Sequence, residues 1–325
     1  MRLSLSLDAQ STSHCIYQVR SIRSLKEWEC HFSRLPRTHM TQAHAYGEAK
    51  AATGSLHAQR YLIEYNGAPV AMVQALVLRA AGIALGARIN RGPLFFDETP
   101  SLALREGVMQ AIRRYWRIGR HGALLIAPAL DDTSENRALL HRLGYRLRKE
   151  QGWCSALVDL SPPEEEIQKR FAPVWRNRLR AAQKSGLEIR HCNDVQGLEW
   201  MLDRHEQNQR TKRFNGASRA LLKALYMAKP GDFRILQAMA GSRAVGGLVL
   251  YRFGDRAEYY VGWFGDDGRK LNCGNFLYWH AICEAKRLGH RWFDVGGYYS
   301  SDKFGHFKQN LRGTEYRLAG EWLSL

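Results

Sequence analysis

No run of roughly eighteen apolar residues occurs in this 325-residue chain, which argues against a membrane-spanning helix. Cysteine is sparse and unpaired. Cys15, Cys30, Cys154, Cys192, Cys273 and Cys283 show neither C-x-x-C spacing nor a metal-ligand rhythm, so reduced thiols are expected and neither a zinc site nor a disulfide framework is. His191 beside Cys192, and His306 near Lys308, are isolated pairs, and no metal is assigned to either. The N-terminal ten residues have too short an apolar stretch, and no small-residue cleavage site, for a secretory leader. They are expected to form a tail on a cytoplasmic protein. Acidic residues are also in deficit, 31 against 48 Lys and Arg, for a formal net charge of +17.

That excess is clustered: Arg113-Arg-Tyr-Trp-Arg117 with Arg120, Arg142 to Lys149, Arg176-Asn-Arg-Leu-Arg180 with Lys184, and Arg210-Thr-Lys-Arg213. Such clusters attract phosphates by counterion release, and interleaved Tyr and Trp can stack bases. Each could equally be a solvated helix face. Together they favour a polyanion partner, with Arg176, Arg180 and Lys184 as the expected contacts.

Length suits two units, placed at 1–160 and 161–325. Pro162-Pro163 and the acidic Glu164-Glu-Glu166 mark the boundary, since proline stiffens a linker and acids favour a helix N-terminus. In the first unit, residues 60–65, the Asn66-Gly67 turn and residues 68–78 read as a hairpin, followed by a strand broken at Gly92-Pro93, a helix over 101–117 and a short strand at 123–128. A helix over 135–143 and a strand at 154–160 complete it. The second unit repeats the order with strands over 232–239, 244–253 and 256–264, a helix over 274–288 and a strand at 291–295. Two copies of one α/β fold are expected, the last strand packing back on the first.

The stretch from Asp294 to Gly313 carries the chemistry. A buried strand, Trp292-Phe-Asp-Val295, meets a Gly-Gly break, and a short turn is expected to present Phe307 and Lys308 before another glycine. Glycines let backbone bend and approach a ligand closely, so a lysine there is placed and its cation can stabilise developing negative charge.

This order of elements resembles the Gcn5-related N-acetyltransferase (GNAT) fold, and its tandem repeat resembles the Fem-type aminoacyl-tRNA-dependent peptidyltransferases. The landmarks are Gln42-Ala-His-Ala-Tyr46 to Lys50, Arg91-Gly-Pro93, Trp175-Arg176 with Leu179-Arg180-Ala181 and Lys184-Ser-Gly186, Tyr259-Tyr260, Asn275 with Trp279, Asp294-Val-Gly-Gly297 and Gly305-His-Phe307-Lys308. The resemblance implies transfer of an amino acid from its tRNA ester to an amine on a peptide-bearing acceptor, such as a peptidoglycan precursor or a peptide natural product. No cofactor or metal is implied. A long helical-hairpin arm found in some members is lacking, which leaves the tRNA to the basic clusters.

Roles follow from that resemblance. Lys308 would stabilise the oxyanion or the tRNA 3′ end, and Phe307 would pack on the donor adenosine or the acceptor chain. Asp294 would orient Lys308 or the attacking amine, or else cap the Gly-Gly turn. Lys50 and Arg213 would bind acceptor phosphates, and Tyr46 and Tyr260 would frame a cleft between units. No general base is evident, with His306 a weak candidate. Two rival readings stay open. Arg269-Lys-Leu-Asn-Cys-Gly274 resembles an acyl-CoA pyrophosphate loop, though Asn272 stands where glycine is usual, and a basic RNA-binding protein could keep the fold without catalysis.

Overall fold

The computed structural model describes residues 17–299 and 303–325; the expected N-terminal tail and residues 300–302 of the Asp294 to Gly313 stretch lie outside the described residues. The first unit comprises β1 (Tyr17–Ile22), α1 (Leu25–Phe32), α2 (His44–Ala52), β2 (Leu56–Tyr65), β3 (Ala68–Ala80), β4 (Ile83–Asn90), β5 (Leu94–Phe95), α3 (Leu102–Tyr115), β6 (Ala123–Ala127), α4 (Ser134–Arg142) and β7 (Arg146–Lys149). Next come β8 (Cys154–Asp159), α5 (Glu164–Arg170), α6 (Pro173–Gln183), β9 (Leu187–His191), α7 (Val195–Lys212), α8 (Arg219–Ala228), β10 (Phe233–Ala240), β11 (Arg243–Phe253) and β12 (Arg256–Phe264). The chain closes with α9 (Asp266–Lys270), α10 (Cys273–Arg287), β13 (Trp292–Asp294), α11 (Lys303–Gln309), β14 (Thr314–Arg317) and β15 (Glu321–Ser324).

Local chemistry accounts for many boundaries. Side chains of Ser24, Ser101, Thr133, Asp194 and Ser218 accept backbone N–H groups at the starts of α1, α3, α4, α7 and α8, satisfying donors the helix itself cannot. Asn66 and Gly67, both at positive φ, turn β2 into β3.

The strands form two mixed sheets, ordered β1-β2-β3-β4-β6-β15-β7, with β5 against β3, and β14-β8-β13-β12-β11-β10-β9. Neighbours are antiparallel except β4 with β6 and β12 with β13, the one parallel pair at the heart of each sheet. The units exchange strands. After its own edge strand β7, the chain crosses to the second sheet, where β8 pairs β13; after β14 it returns, and β15 fills the equivalent place between β6 and β7. The strand at 154–160, assigned by the sequence boundary to the first unit, therefore belongs to the second sheet. Pro162-Pro163 marks a change in composition, whereas strand partnership is set by which hydrogen-bonding edge is vacant. Trp322 of β15 is fully buried in the first unit's core beside Trp116 and Tyr145.

The exchange leaves no loosely tethered halves. A single apolar cluster combines Trp28, Phe32, Leu62 and Met72 of the first unit with Leu198, Leu225, Phe233 and Val249 of the second. Helix α2 packs on α8, and the Thr38 hydroxyl donates to the Asp255 carboxylate across the boundary. Strand β7 escaped the sequence reading because its four residues are all exposed, so an edge strand looks like a basic cluster.

Candidate functional site

The parallel pair β12 and β13 is short: Arg256, Ala257 and Glu258 oppose Trp292, Phe293 and Asp294, and β13 then ends. Beyond it, β12 carries a bulge at Tyr260, since Tyr259 and Val261 face the consecutive residues Leu250 and Val249 of β11. At this divergence Asp294 is 1% exposed. Its Oδ1 accepts the Gly296 N–H at 2.9 Å and the Ser155 hydroxyl, and its Oδ2 accepts the Tyr316 hydroxyl at 2.7 Å. Of the two roles foreseen for Asp294, turn-capping is the one its contacts display.

That capped turn holds Lys308. The side chain is 2% exposed, and Nζ donates to the Gly296 and Gly297 carbonyls at 3.0 and 2.9 Å. It also sits 4.8 Å from the centre of the Tyr259 ring and 4.7 Å from that of Phe304, positions that favour a cation. Asp294 and Lys308 thus hold the same Gly296 turn, one at its N–H and the other at its carbonyl. The expected short turn is instead helix α11, and what places the lysine is its reach back to the Gly-Gly carbonyls. Phe307 is half-buried and packs among Trp175, Tyr278 and Phe304, tying α11 to α6 and α10. His306 is exposed.

Glu258 lies beside this lysine at 2% exposure, with no hydrogen-bond partner for Oε2. Burial pushes its carboxyl up to about 7, the nearby Asp294 charge adds to the effect, and Arg91, Lys308 and Arg256 oppose it. Arg91 comes from the other unit, in the left-handed region at the end of β4, with its guanidinium 4.1 Å from the Trp153 ring centre. Its Nη1 forms a 3.9 Å ion pair with Glu258 Oε2, beyond hydrogen-bond distance, and both atoms are buried with no hydrogen-bond partner among the described residues. Arg256, 1% exposed, stands 3.8 Å from both Asp294 and Asp255, and its three nitrogens have no hydrogen bond. Buried His39 is held well below the ordinary histidine range by desolvation, then by Arg256, Arg91 and Arg37, and is therefore neutral. Buried charge gathered where two units meet has the character of a reaction site.

Tyr46 and Tyr260, both half-buried, come together with this cluster. Burial raises the Tyr46 hydroxyl, with Arg91 and Arg88 opposing and Glu258 adding; burial raises that of Tyr260, with Tyr46 and Glu258 adding. Lys50 is half-buried near the end of α2, and Arg213 is the exposed left-handed cap of α7. No hydrogen bond or ion pair engages either side chain among the described residues. Arg176, Arg180 and Lys184 line up at four-residue spacing along α6 and its C-cap, the latter two exposed.

One expectation needs correcting. Tyr115 and Trp116 do not offer rings to bases: Trp116 is 1% exposed in the first core, and Tyr115 stacks on His121 at 4.2 Å. The Arg269 to Gly274 stretch runs from the end of α9 into the start of α10. The amides of Arg269, Leu271 and Asn272 already donate to the carbonyls of Gly265, Asp267 and Arg269.

Glu258, Arg91 and Arg256 were missed as functional candidates by the sequence reading. A signal existed for two of them. Arg256 and Glu258 alternate on one face of a strand whose other residues, Ala257 and Tyr259 to Phe264, are uncharged, where opposite charges are conspicuous.

Residues 169–309 match the acetyltransferase (GNAT) domain family. No curated protein sequence matches the chain. Among solved structures the chain is similar to FemX, at 14% identity over 94% of this chain and 97% of that one, with a TM-score of 0.76. It is also similar to a tandem GNAT protein from the clavulanic acid biosynthesis pathway (9% identity, 95% and 98% covered, TM-score 0.54). A third likeness is to L-PGS from Bacillus licheniformis (13% identity, 92% and 90% covered, TM-score 0.53). These likenesses show the fold: two GNAT-like units in tandem, arranged as in FemX.

Proposed function

We propose that this protein is a cytoplasmic transferase that joins an amino acid, delivered as a tRNA ester, to an amine on a peptide-bearing acceptor lying between the two units. The observation that carries the reading is the buried Lys308 nitrogen, fixed by two carbonyls and two rings where β12 and β13 part. Aminolysis of an ester builds negative charge on the carbonyl oxygen, and a cation already fixed in place stabilises it without reorganisation. The Fem-type order of motifs and the FemX-like fold agree with this chemistry. The ester carries its own activation, so no ATP, metal or redox group is called for.

Tyr46 and Tyr260, one from each unit, frame the acceptor, with Lys50 and Arg213 on its phosphates. The donor lies along α6, whose Arg176, Arg180 and Lys184 follow one phosphate track, while Phe307 supports the 3′ end through α11. The acyl-CoA alternative is disfavoured by α9, which commits the amides of Arg269, Leu271 and Asn272 and adds Asp266 and Asp267 before them.

Replacing exposed Arg180 and Lys184 together by alanine tests the donor assignment. Each phosphate contact contributes roughly 0.7 to 0.9 to the slope of log affinity against log salt, so the double variant is expected to bind aminoacyl-tRNA more weakly with a slope shallower by about 1.5. Filter binding across a salt series measures it. An unchanged slope removes α6 from the donor site.

A further inference from the structure

We infer that Glu258 is the group that takes the proton from the incoming acceptor amine, so that the nucleophile is made neutral at the point of attack. The inference rests on the amine-acylating activity proposed above and adds the residue that neither the motifs nor the resemblance supplied.

The argument begins with an unmet need. An alkylamine is protonated in water near neutral pH, with an unperturbed pKa of roughly 10, and an ammonium has no lone pair with which to attack. Something beside Lys308 must accept a proton, and His306, the only candidate visible in the sequence, is exposed. Glu258 is buried and shares the cluster of Lys308, and its Oε2 makes no hydrogen bond. Facing it at 3.9 Å is Arg91 Nη1, also unbonded, a spacing too long for a direct hydrogen bond. Two buried, opposed and unsatisfied polar atoms mark a place for a polar group that arrives with substrate. It lies beside the Tyr46 and Tyr260 pair, on the line where the two units meet.

The charges around Glu258 come from several elements. Arg256 and Tyr260 share its strand; Asp294 lies on β13, Lys308 on α11, Arg91 after β4, Tyr46 on α2, Tyr251 on β11 and Tyr316 on β14. Burial and Asp294 raise its proton affinity while Arg91, Lys308 and Arg256 lower it, leaving the carboxyl at about 7, where it can both accept and release a proton near neutrality.

In the step, the acceptor ammonium gives one proton to the Glu258 carboxylate and becomes a neutral amine. The nitrogen lone pair then forms the C–N bond to the ester carbonyl carbon, and the displaced π electrons collect on the oxygen stabilised by Lys308. As that pair returns, the C–O bond to the ribose breaks, and the nitrogen's surplus proton passes to the departing ribose oxygen. Protonated Glu258 finally yields its proton to water.

The test compares wild type with Glu258→Gln, which keeps shape and removes the base. With a lysine-side-chain peptide as acceptor, the wild type is expected to lose kcat/KM below pH about 7. Glu258→Gln should be about 100-fold slower at pH 7 and should recover about tenfold per pH unit, as solution rather than protein deprotonates the amine. A variant that keeps the wild-type rate and acid limb overturns the inference. Running both proteins with aminoacyl-tRNA and with acyl-CoA separates the two claims: transfer from acyl-CoA alone sinks the donor reading, while the Glu258 comparison still stands or falls by itself. Melting temperature between pH 4 and 9 gives a readout independent of turnover. With the folded carboxyl raised from 4.5 to about 7, the wild type loses stability as pH rises through that window, so Glu258→Gln should gain on it there. A gap constant across pH overturns the inference whatever the donor.

Discussion

Lys308→Met is expected to lower kcat by two to three orders of magnitude, about 3 to 4 kcal/mol of barrier, with KM for either substrate little changed. The charge acts on an oxyanion that exists only after attack, so its removal is felt in the transition state rather than in binding. Burial adds a second consequence that a lysine on a surface turn would not have. Methionine leaves the Gly296 and Gly297 carbonyls without the donor that now bonds both, which costs about 1 to 3 kcal/mol of stability. Lys308→Arg separates the two effects of charge and place. Its planar guanidinium does not fit a nitrogen position defined by two carbonyls and the rings of Tyr259 and Phe304, so charge alone should not restore turnover. Steady-state kinetics of the two variants, with thermal melts to confirm folding, check this. Full activity in Lys308→Met removes the lysine from the chemistry.

Gly296→Ala should damage both fold and activity. The residue has φ +75°, and a Cβ placed on it would lie 2.4 Å from the Tyr259 carbonyl oxygen and 3.3 Å from Lys308 Nζ. Backbone of a central strand cannot yield, so left-handed strain and overlap together cost about 3 to 5 kcal/mol. The turn would shift, carrying with it the carbonyl that positions Lys308 and the N–H that Asp294 holds. Denaturant melts should show the loss, and turnover should fall even at temperatures where the variant is folded. A variant with wild-type stability and turnover would mean the turn has no part in placing the lysine.

Much of this architecture is written in local patterns. The Asn66-Gly67 hairpin, the Gly92-Pro93 break, the second unit's strands and helices and the Trp292 to Gly297 strand and turn follow from periodicity and glycine placement. The strand exchange is not local: β8 and β15 carry no mark of which sheet accepts them, since that is settled by vacant edges far along the chain. Nor did glycine spacing reveal that Phe307 and Lys308 sit on a helix. Lys308, Tyr46 and Tyr260 were singled out through the motif order, and Lys308 is buried at the Gly-Gly turn. Arg91 was visible only as a landmark, because its closeness to Glu258 depends on the packing of one unit on the other. Glu258 went unread despite its alternation with Arg256, because its burial depends on the packing of β11 and β13 on either side of β12.

The most direct test follows a labelled amino acid. Single-turnover reactions of the wild-type protein with labelled aminoacyl-tRNA and a peptide amine are expected to place the label in an amide. Prior ribonuclease digestion should abolish that transfer, and the matching acyl-CoA should support none. Ribonuclease-insensitive transfer from acyl-CoA, with the tRNA ester left intact, would contradict the account.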